Sequence, residues 1–211
     1  MPVLTKAPAK EQETVKVPLL IGVRHMDEDA ESPKVLALLE SARKAGAQSV
    51  ALELRKDYKE MEEKRIGGYF SHIADAAERL GMMVIPLDDA KLLDENSATA
   101  TAWHYCKGGR ADFERMESDE KHYLKQRQAT GDIEVARFLD EALLDIALAR
   151  ELMQKRTVSE IRGEFNGFQE ERDRRFAISV KINKPDVVIA GYEHSRVLKG
   201  KAGEKQYVEL L

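Results

Sequence analysis

Three apolar runs in this chain end in side chains able to bind a metal ion or move a proton. One closes with Gly22-Val23-Arg24-His25, a second carries Glu53 near its end, and a third closes with Gly191-Tyr192-Glu193-His194. Imidazole and carboxylate groups are both general bases and ligands for Zn, Mn or Co. A fourth run ends at Asp88-Asp89. In an open α/β sheet, ligands bind beyond the carboxyl ends of the strands, where residues distant in sequence meet. His25, Glu53 and His194 are therefore expected to line one pocket, with Asp88 and Asp89 at the equivalent end of a further strand. Each glycine lets the chain turn sharply as it leaves its strand. Either histidine alone reads as an ordinary loop residue with hydrogen-bonded partners; the repetition of Gly-x-x-His at two run ends counts against that reading.

Arg172 supplies a separate signal. It shares an i, i+4 row with Phe168, Phe176 and Val180, so its charge rises out of an apolar stripe. A guanidinium placed there requires a carboxylate or an anionic ligand, unless its methylenes cover the stripe while the head reaches water. Glu171 and Asp173 on either side read as solvated charges.

The elements that must position these groups follow from periodicity. Residues 1–14 lack any period and are expected to form a mobile tail outside a single domain spanning 15–211. Val15 to Val23 reads as a buried strand, and Ser32-Pro33 opens a helix with Val35, Leu36, Leu38, Leu39 and Ala42 inward and Gly46 as its stop. Ser49 to Leu54 then reads as a strand, and this β-α-β order suggests a parallel pair. Tyr69 to Leu80 is expected as a helix ended by Gly81, and Met82 to Leu87 as a third strand. Residues 90–130 read as a helical insertion or cover. Helices are expected from Gly131-Asp132 to about Lys155 and over about Phe168 to Asn183. A buried strand over Val187 to Gly191, a turn at GKAGEK, and a last strand over Gln206 to Leu210 complete the chain. The fold class expected is α/β, with a mostly parallel central sheet, helices on both faces, and a final edge strand open to antiparallel pairing.

Composition removes several function classes. Of 211 residues, 43% are hydrophobic and 34% charged, which is enough apolar material for a core and excludes global disorder. The net charge of -4 and the lack of a basic run argue against nucleic acid. No run reaches the roughly 20 apolar residues of a membrane span. A single cysteine, Cys106, and no apolar leader segment give the expectation of a cytoplasmic protein, with homo-oligomerisation left open. Phosphate-binding glycine loops and a Gly-x-Ser-x-Gly elbow are absent from the sequence, which removes nucleotide-cofactor and conventional serine-hydrolase readings.

With these residues in view, the chain resembles the TraB/Tiki superfamily, which is related to the ChaN and erythromycin esterase-like proteins. LLIGVRH resembles its first Gly-x-x-His strand end, SVALELRKDY the strand carrying its motif glutamate, and QEERDRRFAISVKINKPDVVIAGYEH its final block. The likeness covers about residues 15–90 and 165–200. It implies a metal-dependent hydrolase of a peptide or ester-like bond, with Mn, Co or Zn held by His25, Glu53 and His194. Glu53 and Arg172 would be catalytic, Arg172 orienting Glu53 or meeting oxyanion charge. Arg24, Tyr69, Asp88, Asp89 and Glu193 complete the candidate pocket. The sequence departs from the family pattern at Tyr69, where a second glutamate is usual, and at Asp89, where the family carries an arginine. Two other readings stay open: a binding protein for a small molecule, haem or protein partner that keeps the cleft without the chemistry, and a metal-independent esterase with His25 or Glu53 as base.

Overall fold

The computed structural model describes residues 18–23, 33–63, 68–202 and 206–210. The elements in chain order are β1 (Leu19–Val23), α1 (Pro33–Lys44), β2 (Ser49–Arg55), α2 (Tyr58–Glu63), α3 (Tyr69–Arg79) and β3 (Met83–Asp88). They continue as α4 (Ala90–Cys106), α5 (Phe113–Ala129), α6 (Ile133–Lys155), α7 (Val158–Asn183), β4 (Val187–Gly191), α8 (Tyr192–Ala202) and β5 (Gln206–Leu210). The strands form one sheet in the order β3-β2-β4-β1-β5, and every neighbouring pair is parallel.

Side-chain alternation explains the two layers of helices. Ile21, Val50, Leu52, Leu54 and Ile189 point to one face, against Val35 and Leu39 of α1 and Phe70 and Ile73 of α3. Leu20, Ala51, Val188 and Ala190 point to the other, against Phe176 and Val180 of α7 and Leu198 of α8. Parity then puts Glu53, two residues beyond Ala51, on the α7 face. Gly46 and Gly81 end α1 and α3 in the left-handed region, at φ of 96° and 70°.

Two features differ from the sequence expectation. β1 and β2 are not partners, because β4 lies between them, with Ile189 opposite both Ile21 and Leu52. β4 is buried along its whole length, so it takes a central place with a neighbour on each side. β5, expected to be open to antiparallel pairing, instead runs parallel to β1, because α8 carries the chain back across the sheet before it starts. Pro86 sits in β3, an edge strand, where its missing N–H is tolerated.

The expected insertion is larger than 90–130. α4, α5, α6 and the first half of α7 share a core of their own, built on Ala102, Tyr105, Cys106, Met116, Ile146, Ala149, Met153 and Ile161. α7 starts ten residues before the expected Phe168, at a capping box in which Thr157 Oγ1 accepts from Glu160 N–H and Glu160 Oε2 accepts from Thr157 N–H. It therefore spans both the helical arm and the sheet. α8 also replaces the expected turn at GKAGEK as far as Ala202. No described helix is long and apolar enough to cross a membrane.

Candidate active site

β2, β3 and β4 end side by side, and α7 passes over them. β2 supplies Glu53, β3 supplies Asp88 as its last residue, and β4 ends at Gly191, from which α8 begins without a loop. His194 is thus held in the first turn of α8. α7 supplies Gln169, Arg172 and Asp173 within little more than one turn.

Arg172 is the hub. Its Nε and one terminal nitrogen donate to the two oxygens of Asp88 at 2.9 and 2.8 Å. The same terminal nitrogen donates to Glu53 Oε1 at 2.9 Å, and the other donates to Gln169 Oε1 at 3.3 Å and to His194 Nε2 at 3.2 Å. All five donors of the guanidinium are thereby used. Phe168 and Phe176, four residues before and after, hold its plane, with ring centroids 5.6 and 5.5 Å from the guanidinium carbon. The side chain is 11% exposed, so it does not reach out to water.

Glu53 is anchored at both oxygens. Oε2 accepts from the Gly191 N–H at 2.6 Å, just ahead of the α8 N-terminus, whose partial positive charge favours a carboxylate. His194 is oriented by Asp173, whose Oδ1 lies 2.6 Å from Nδ1. A carboxylate only accepts and a guanidinium only donates, so Nδ1 carries the hydrogen and Nε2 is the basic nitrogen. Glu53 Oε1 lies 3.5 Å from Nε2, close enough to receive the charge of a protonated ring. Burial works against the imidazolium, but the Asp173 hydrogen bond and the Glu53 charge outweigh it, and the His194 pKa lies above its ordinary value. Burial likewise pushes the Asp88 carboxyl upward, against the pull of Arg172.

The cluster opens into a cleft of about 770 Å3, whose walls include Val23, Glu53, Gln169, Asp173, Glu193 and His194. Of the residues expected from sequence, Glu53, Asp88, Arg172 and His194 meet, and Glu193 lines the cleft at its exposed rim. Asp89 stands apart: it caps α4 by accepting from Leu92 N–H at 3.1 Å and pairs with Arg175 at 2.9 Å. Tyr69 is buried in the apolar cluster under α3, edge-on to Phe70, and does not line the cleft; as the first apolar residue of an amphipathic helix it faces the sheet. Arg24 and His25 lie outside the described residues. Asp173 and Gln169 are the participants the sequence reading missed. Asp173 is not a solvated charge; Glu171 is, pairing with Arg174 and Arg175 at 2.7 and 2.8 Å. The signal for both was spacing, since Gln169, Asp173, Phe176 and Val180 form an i, i+4, i+7, i+11 row facing inward.

Of the three ligands expected for a divalent metal ion, Glu53 and His194 are described and His25 is not. The space between His194 Nε2 and Glu53 Oε1 is flanked by the guanidinium of Arg172, hydrogen-bonded to both atoms. A dication bridging them would face that fixed positive charge at close range. Among the described residues no group of three or more His, Cys, Asp or Glu is arranged to hold a metal ion. In comparisons with known proteins, the chain matches no family model, no curated protein and no solved structure.

Proposed function

We propose that the cleft is a hydrolytic site for a peptide or ester-like bond in which His194 acts as general base without a resident metal ion. The observation that carries this reading is the Asp173–His194 pair, in which a carboxylate fixes the imidazole tautomer and leaves Nε2 as the base on the cleft side. Water bound at Nε2 exchanges for the Arg172 hydrogen bond, while the other four bonds of Arg172 keep it in place. Nε2 takes the proton of water as its oxygen attacks the carbonyl carbon, and the ring's new charge is shared by Asp173 and Glu53. Arg172 is a positioning residue that holds Glu53. The metal-dependent version implied by the family resemblance is not adopted, because Arg172, hydrogen-bonded to both His194 Nε2 and Glu53 Oε1, sets a fixed positive charge beside them.

A second reading, a binding protein without catalysis, is favoured by the saturation of the network, in which Arg172 and both Glu53 oxygens are fully committed within the chain. The two are separated by pH–rate profiles for p-nitrophenyl butyrate and a set of short peptide p-nitroanilides, using wild type and His194→Ala. The hydrolytic reading predicts a rate that climbs with pH through one ionisation above about 6.5 and is lost in the variant. Equal background rates from both proteins would leave the binding reading in its place.

A further inference from the structure

Gln169 lies on α7 one turn before Arg172 and lines the cleft, half-buried. Its Oε1 accepts from the same Arg172 nitrogen that donates to His194 Nε2. That shared partner fixes which way the amide faces. A guanidinium has no acceptor, so Gln169 must turn its carbonyl oxygen toward Arg172, and its NH2 group is directed away from it. Among the described residues that NH2 group has no hydrogen-bond partner. The site thus holds an oriented neutral donor, and its carbonyl oxygen lies within one hydrogen-bond length of the nitrogen that also touches the base.

Resting on the hydrolytic reading of the same cleft, we propose that Gln169 is the oxyanion donor of this site, giving its Nε2–H to the carbonyl oxygen of the scissile group. As the water oxygen bonds to the carbonyl carbon and its proton passes to His194 Nε2, the π pair of the C=O bond moves onto the oxygen. That oxygen is where negative charge develops, and a donor pre-aligned there is worth more in the transition state than in the ground state. Collapse restores the C=O bond and breaks the bond to the leaving group, which takes the proton back from His194 Nε2–H. Arg172 is less suited to the task because four of its donors stay on Asp88, Glu53 and Gln169 itself, and the fifth, released by His194, is left beside the attacking water. Its contribution to the oxyanion is to aim the amide.

The test uses two variants that remove the donor in different ways. Gln169→Glu keeps an oxygen for Arg172 and adds a charge; Gln169→Met removes the donor and adds none. Hydrolysis is followed with p-nitrophenyl butyrate. Binding is followed by quenching of Trp103, the only tryptophan in the chain, which stacks on the cleft residue Phe165 with centroids 5.8 Å apart. The tetrahedral mimic is mono-p-nitrophenyl propylphosphonate. Both variants are expected to lose about 10²–10³-fold in kcat with KM changed only a few-fold, and to bind the phosphonate more weakly by a similar factor. Urea unfolding of each variant accompanies the kinetics. Wild-type kcat in either folded variant, or a loss confined to KM, overturns the oxyanion role while leaving the hydrolytic reading intact. A wild type that neither hydrolyses the ester nor binds the phosphonate overturns both, and shows it before any variant is made.

Discussion

Replacing Arg172 by lysine keeps the charge and removes the fork. The guanidinium serves five acceptors on four residues. An ammonium has three donors on a single atom and cannot span Asp88, Glu53, Gln169 and His194 together. At least two buried acceptors therefore lose their partner, at about 1.5–3 kcal/mol each when one group is charged. Loss of the planar contact with Phe168 and Phe176 adds about 0.5–2 kcal/mol, part of which the lysine methylenes recover. These contributions sum to about 3–8 kcal/mol, and because lysine keeps a positive charge among the carboxylates the lower part of that range, about 3–5 kcal/mol, is expected, which leaves a protein of ordinary stability still folded. In urea this moves the midpoint down by about 1–2.5 M for a slope of about 2–3 kcal/mol/M. Arg174→Lys is the control, because Arg174 is exposed on the same helix and among the described residues pairs only with Glu171. Its expected cost is below about 1 kcal/mol. A midpoint for Arg172→Lys that coincides with that of Arg174→Lys would refute the claim that the guanidinium fork assembles the site.

Two further outcomes follow from the same geometry. Asp173→Asn frees His194 to take the other tautomer, and hydrolysis is expected to fall about 10²–10⁴-fold with urea stability reduced far less than in Arg172→Lys; a variant with wild-type kcat would remove Asp173 from the base. Because the His194 pKa is raised on folding, its contribution to stability is fully present below the unfolded value of about 6.5 and is lost as pH rises through the folded value. The urea stability gap between wild type and His194→Gln should therefore hold level up to about pH 6.5 and shrink as pH is raised further, and a gap that widens with pH would contradict the assigned direction.

Much of this arrangement is written in short-range pattern. The apolar runs of β1, β2 and β4 locate the strands, and parity within β2 assigns Glu53 to the α7 face because Ala51 and Glu53 share a side of the pleat. The row through Phe168, Arg172 and Phe176 shows that the arginine is set in an apolar stripe. What the pattern does not hold is the order of the strands. Nothing local in Val187 to Gly191 says that it enters between β1 and β2, since that choice is made by burial on both edges and by the crossovers. Gly163 and Gly167 hide the first half of α7, because glycine lowers helix propensity while the capping box at Thr157 and the packing of Ile161 and Phe168 restore it. Asp173 escapes notice for a related reason: a charge between two other charges looks solvated until the helix is placed on His194.

The cluster around Arg172 is proposed to hydrolyse its substrate without a resident metal ion. That is tested most directly by the hydrolysis rate of protein stripped of metal and assayed in excess EDTA, beside the same protein given back Mn, Co or Zn. The same kcat is expected in all four conditions. A rate that is absent in EDTA and returns with one of these ions would contradict it, and would mean that a dication binds at the site beside the charge of Arg172.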